Sequence, residues 1–141
     1  MQLQMNGYII KAISLACLLG FVISSCNTTK KTACPPDIMC TMIFKSVSIK
    51  VTDAAGNAVK LDEAYTIHTK TKEVIRPEQH NDDGYYVVLD DSYQKKLQNT
   101  TAEFRFIGKK SGAQVIDQRY TIGADCCHIS KQSGPDTVIV R

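Results

Sequence analysis

The residues best equipped for chemistry stand together near the C-terminal end of the chain, in Asp125-Cys126-Cys127-His128. Two thiolates beside an imidazole would suit a soft metal such as zinc or copper(I), and a reactive thiol pair would suit redox exchange. The spacing argues against both. Adjacent residues on a strand send their side chains to opposite faces, and no C-x-x-C pair is present to place two thiolates on one ion. The reading this favours is a pair of disulfide cysteines beside a surface His128 whose removal costs little, with no metal and no cofactor. The acidic pairs Asp82-Asp83 and Asp90-Asp91 are the other candidates for acid/base work. The first precedes Gly84 and the second opens a short helix, which is turn and cap chemistry rather than catalysis. No serine or cysteine sits in a nucleophile elbow and no glycine-rich phosphate loop is present, so the chain is not expected to be an enzyme.

What must position these residues begins at the other end. The first 25 residues carry one charged side chain, Lys11, followed by the apolar run Ala12 to Ile23. A spanning helix needs roughly 20 apolar residues, and this run is shorter and ends in small residues, which predicts a cleaved export signal. Ile23-Ser24-Ser25-Cys26 resembles the bacterial lipobox, in which the cysteine is diacylated and becomes the new N-terminus. Two acyl chains anchor stably where one is marginal, since burial contributes about 0.8 kcal/mol per methylene. The expectation is therefore a signal peptide over 1–25, a tether over 26–41 and one folded domain over 42–141. Its place would be the bacterial cell envelope, with the outer membrane favoured and the membrane contacted through lipid on Cys26.

Of six cysteines, Cys17 would leave with the signal and Cys26 would carry lipid. Cys34, Cys40, Cys126 and Cys127 remain, an even number that reads as two disulfides in an exported domain. A vicinal bridge between 126 and 127 would be strained, so each is expected to pair with one of the two N-terminal cysteines, in either order. Closing a loop of nearly ninety residues contributes on the order of 4 to 5 kcal/mol in the chain-entropy model.

Without Lys11 the formal balance is 16 basic against 14 acidic residues. That is close to neutral, and the pairs Lys30-Lys31 and Lys109-Lys110 do not make a basic tract, so nucleic acid is not an expected partner. Residues 27 to 41 are polar and threonine-rich and contain Pro35-Pro36, which predicts an extended spacer. Val47, Ile49 and Val51 then alternate with Ser48, Lys50 and Thr52, the period of a half-buried strand. A second run sets Tyr65 and Ile67 on one face against Thr66, His68 and Lys70 on the other, with His68 expected to face solvent. Tyr85 to Leu89 is apolar on both faces and reads as a central, well-buried strand. Asp90-Asp91-Ser92 offers an N-cap to one short helix containing Tyr93 and Leu97. Phe104 and Phe106 mark a further strand, Gly108 and Gly112 bracket a turn around Lys109-Lys110, and strands follow at about 113–122 and 137–141. The sum is an all-β fold: an antiparallel immunoglobulin-like or prealbumin-like sandwich with one short helix, stapled by disulfides.

Val51-x-Asp53-x-x-Gly56-x-x-Val59, followed by Asp83-Gly84-Tyr85-x-Val87, resembles the carboxypeptidase-regulatory-like, or prealbumin-like, β-sandwich domains common in exported proteins of Bacteroidota. The resemblance covers about residues 46 to 90 and carries over no functional residue. It implies a small exported lipoprotein whose sandwich is a non-enzymatic binding or structural module, with an envelope protein or glycan as partner. The competing expectation is a metal-handling or thiol-redox protein using Cys126, Cys127 and His128.

Overall fold

The computed structural model describes residues 33–79 and 82–141. The signal expected over 1–25, with Cys17, and the expected lipidation site Cys26 lie outside the described residues. Eight strands form: β1 Ser46–Thr52, β2 Glu63–His68, β3 Val74–Ile75, β4 Tyr85–Asp90, β5 Thr100–Lys110, β6 Ala113–Ala124, β7 Ile129–Ser133 and β8 Thr137–Ile139. They make a sheet of order β4-β1-β8 and a second of order β3-β2-β5-β6-β7, the expected all-β sandwich. Pairing is antiparallel except between β1 and β8, which run parallel with Val51 opposite Val138. The immunoglobulin order is not followed, because β1 and β2 lie in different sheets.

The alternation in β1 does what its period predicts. Val47, Ile49 and Val51 are buried and meet Phe104 and Phe106 of β5 and Ile116, Tyr120 and Ile122 of β6 in one core cluster. Connection of β1 to the opposite sheet starts at Asp53, whose carboxylate accepts from the N–H groups of Ala55 and Asn57, both at 2.9 Å. Gly56, at φ 86°, closes this turn in a conformation few other residues adopt. Tyr86, from β4, secures the next stretch: its hydroxyl accepts from the N–H of Leu61 at 2.6 Å and donates to the carbonyl of Val59 at 3.1 Å.

Several elements sit differently from their sequence pattern. β4 is an edge strand, paired with β1 alone, and Tyr85 remains 48% exposed. Its free edge is met by Gln79, whose side-chain amide accepts from the N–H of Val87 at 2.8 Å and donates to its carbonyl at 3.0 Å. That amide occupies the position a neighbouring strand would take, one way of blunting an edge. β2 presents the opposite face to the core from the one its apolar residues suggest. Thr66 is fully buried, and His68 packs edge-on to Phe104 at 5.0 Å rather than facing solvent. Tyr65, on the outer face, is covered instead by Arg76 and Lys109, at 5.3 and 5.5 Å from its ring. Gly108 belongs to β5 and not to the turn; a Cβ there would lie 2.8 Å from Leu61 Cδ1. The hairpin between β5 and β6 turns at Ser111-Gly112, with φ of 51° and 76°, the positive pair of a tight two-residue connection. β7 was not marked by its sequence, since only Ile129 of its five residues is buried.

Thr66 is inward for a physical reason. The register between β1 and β4 slips between Val47 and Ser48, which leaves Val88 as the unpaired residue of a bulge. The Val88 carbonyl accepts from Thr66 Oγ1 at 2.6 Å, so the hydroxyl bonds one sheet to the other through the core. The short helix α1, Gln94–Leu97, follows a 3-10 turn at Asp91–Tyr93 capped by Asp90; the turn buries Tyr93 and the helix buries Leu97. Replacing Thr66→Val keeps shape and strand preference but leaves that carbonyl unsatisfied. It should destabilise by about 1–2 kcal/mol in urea unfolding at unchanged m. A neutral or stabilising effect would mean that the hydroxyl faces water.

Candidate functional site

The turn between β6 and β7 holds the chemistry-bearing cluster. Asp125 accepts from the N–H groups of Cys127 and His128, both at 2.7 Å, and its own N–H reaches the His128 carbonyl at 3.1 Å. Cys126 and Cys127 therefore lie in a bend rather than on a strand, yet they still serve separate partners. Cys34 bonds Cys126 and Cys40 bonds Cys127, with Cα separations of 5.6 and 5.4 Å. These bridges fix the pairing that the spacing left open. Each spans most of the domain, at sequence separations of 92 and 87. Thiolate ligation of a metal would require both to be reduced, and no group of three or more His, Cys, Asp or Glu suited to a metal occurs among the described residues.

The bridges attach a strap, residues 33–45, which has no regular secondary structure apart from a turn after Pro35. Its far end is held by a buried charge. Asp91 Oδ2 accepts from the Lys45 N–H at 2.8 Å, and Oδ1 from the Ile129 N–H at 2.8 Å. His128 Nδ1 lies 2.7 Å from Asp91 Oδ2, and His128 Nε2 lies 2.8 Å from Thr41 Oγ1. With a carboxylate facing Nδ1, that nitrogen donates to it, and Nε2 pairs with the threonine hydroxyl. The side chains of His128 and Asp91 are only 12% and 9% exposed. This corrects the expectation of a surface histidine: His128 is an internal strut between the helix turn and the strap.

Burial alone would raise the Asp91 carboxyl. The N–H groups of Lys45 and Ile129, with His128, outweigh it and hold the group below the ordinary carboxylate range. Asp125 is held low by the backbone N–H groups of His128 and Cys127. The order hydroxyl, imidazole, carboxylate is that of a nucleophilic relay. Here the hydroxyl is a threonine's, next to a bridged cysteine, and the carboxylate is shared with two segments of backbone, so the group works as a clamp. Of the two acidic pairs, Asp90 caps the helix turn as expected, accepting from the Ser92 N–H at 2.9 Å, while Asp91 has a role its neighbour does not share. Asp83, at φ 56°, and Gly84, at φ 77°, form the expected turn. Thr41 and Lys45 are parts of this cluster that spacing did not reveal, and Asp91 was expected only as part of a helix cap, because the partners lie 37 to 87 positions away.

A second surface lies on the outer face of the five-stranded sheet. A groove of about 650 Å³ is lined by Ile67, Thr69, Lys72, Val74, Arg105, Asp117 and Arg119. Arg105 is paired with Asp117, which leaves Lys72 and Arg119 as net positive charge along an apolar floor.

The clamp and bridges have measurable consequences. His128→Ala should cost about 1–3 kcal/mol, because it leaves a buried carboxylate short of a donor, whereas a surface histidine would cost almost nothing. A Cys→Ser change at 40 or 127 should cost about 2–5 kcal/mol. Asp91 has a lower pKa folded than unfolded, so the stability it supplies is present above the unfolded value near 4 and is lost as pH falls through the folded value. Acid titration of stability should therefore steepen below about pH 4, and Asp91→Asn should remove part of that slope while destabilising the protein at pH 7. An unchanged acid slope in Asp91→Asn would show that the carboxylate is not held low.

No family model, curated protein or solved structure matches this chain, so the site is read from its own geometry.

Proposed function

We propose that this chain is a lipid-anchored envelope protein whose sandwich is a non-enzymatic binding or structural module. One observation carries the reading: the segment that follows the lipobox-like Ile23-Ser24-Ser25-Cys26 is bolted to the domain through Cys34–Cys126 and Cys40–Cys127. Two disulfides belong to an oxidising compartment, which the cytosol is not. They also convert the root of a tether into part of the domain, so that a pull on the anchor is borne by covalent bonds. The groups that a metal or thiol-redox protein would use are engaged elsewhere, the four cysteines in bridges and His128 between Asp91 and Thr41. For an envelope protein or glycan partner, the groove along Ile67, Val74, Lys72 and Arg119 offers apolar and cationic contacts away from the strap.

The anchor is tested by mass spectrometry of protein taken from bacterial membranes. Cys26 should be the N-terminal residue and carry acyl chains, and Cys26→Ala should lose them and leave the integral membrane fraction. A free Cys26 thiol in membrane-derived protein, or integral association that persists in the variant, would contradict the proposal.

A further inference from the structure

We propose that the arch Met42-Ile43-Phe44, with Met39 beside it on the strap, is a membrane-contact surface that rests in the interfacial layer of a lipid bilayer. Among the described residues, large exposed apolar side chains concentrate between positions 38 and 44: Ile38 at 44%, Met39 at 94%, Met42 at 104%, Ile43 at 64% and Phe44 at 68% exposure. Single exposed apolar residues are ordinary, but a contiguous group marks a surface that something covers. This group is not a loose loop. One end is held by the Cys40–Cys127 bridge and by Thr41 on His128. The other is held by Lys45, whose N–H donates to the Asp91 carboxylate and whose carbonyl accepts from the Asp91 N–H at 3.0 Å. Three apolar residues thus span two fixed points that meet at one Asp91–His128 pair. All three are exposed to water between those fixed ends, and that contact is relieved by an apolar phase brought to them.

The inference rests on the lipid-anchor reading, and chain length then selects the occupant. Cys26 and Cys34 are eight positions apart, and an extended chain covers about 3.5 Å per residue, so the bridged Cys34 stays within roughly 28 Å of the acylated residue. The bilayer is then the apolar phase always at hand, at an effective concentration no soluble partner matches. The composition suits that surface. Between Asp37 and Lys50 no acidic residue occurs, so the arch itself carries no charge that an anionic headgroup layer would repel. Each large side chain taken out of water is worth roughly tenfold or more in partition, so the arch adds a second point of attachment to the one at the lipid.

The chain contains no Trp, so Phe44→Trp introduces a sole indole at a solvent-exposed position. Ile139→Trp is the control: Ile139 is 59% exposed and pairs with Thr52 at the opposite end of β1, about 20 Å away at strand spacing. Acylated full-length protein carrying either change is reconstituted in vesicles of phosphatidylethanolamine and phosphatidylglycerol. Emission from position 44 should shift to the blue and be quenched by brominated acyl chains severalfold more strongly than emission from position 139. Equal, solvent-like emission from both positions would overturn the proposal. So would a blue shift at 44 that grows with protein concentration in the absence of lipid, which would make a second copy the occupant. Shielding of position 44 in native envelopes but not in lipid vesicles would assign the surface to a protein and overturn it as well. Intact mass of the same samples reports acylation separately: protein lacking acyl chains refutes the anchor alone, and quenching at 44 in such protein retains the contact surface.

Discussion

A carboxylate shielded from water is tolerable only when donors surround it, and three segments distant in sequence converge on Asp91. Its two oxygens gather the N–H of Lys45 at the start of β1, the N–H of Ile129 at the start of β7, and the imidazole of His128. Removing any one donor leaves the carboxylate short of a partner, so movement of one segment penalises the other two. The helix turn that carries Asp91 is in turn capped by Asp90 and tied to the cysteine bend through Gln94 Nε2, which donates to the Asp125 carbonyl at 2.8 Å. The disulfides decide that the strap stays with the domain. The carboxylate decides where it lies.

The strands that face the core on one side only were legible because period 2 is unambiguous when the residue types on the two faces differ sharply. β1, β5 and β6 show this, and so did the cap at Asp90. β2 shows the limit. Tyr65 and Ile67 are more apolar than Thr66 and His68, yet the bulge at Val88 leaves a carbonyl that a buried threonine hydroxyl satisfies, and that need lies on another strand. β4 has apolar residues on both faces without being central: Tyr86 and Val88 face the core, whereas Tyr85 on the other face is 48% exposed with Lys50 Nζ 5.4 Å from its ring. β7 has no pattern to read because one face alone of one residue is covered. The cysteine pairing was narrowed by local geometry and settled only by the turn that Asp125 imposes. Asp91, His128 and Thr41 were unreadable as a unit, since a polar cluster assembled from 41, 91 and 128 has no period.

Cys34 and Cys40 join the strap to the β6–β7 turn, which continues β6 and its long ladder with β5, while the strap's other end runs on into β1 of the small sheet. The strap side is apolar and constrained, while the outer face of the five-stranded sheet carries the groove with its uncompensated cations.

That the Asp91 clamp makes the strap an integral part of the domain is tested most directly by native-state hydrogen exchange at the amides of Lys45 and Ile129 in the oxidised protein. Both donate to the buried carboxylate, and they should exchange only with an opening close in free energy to global unfolding. Rapid exchange at Lys45, with protection retained in β5 and β6, would contradict the account and leave the strap as a covalently tethered but otherwise free segment.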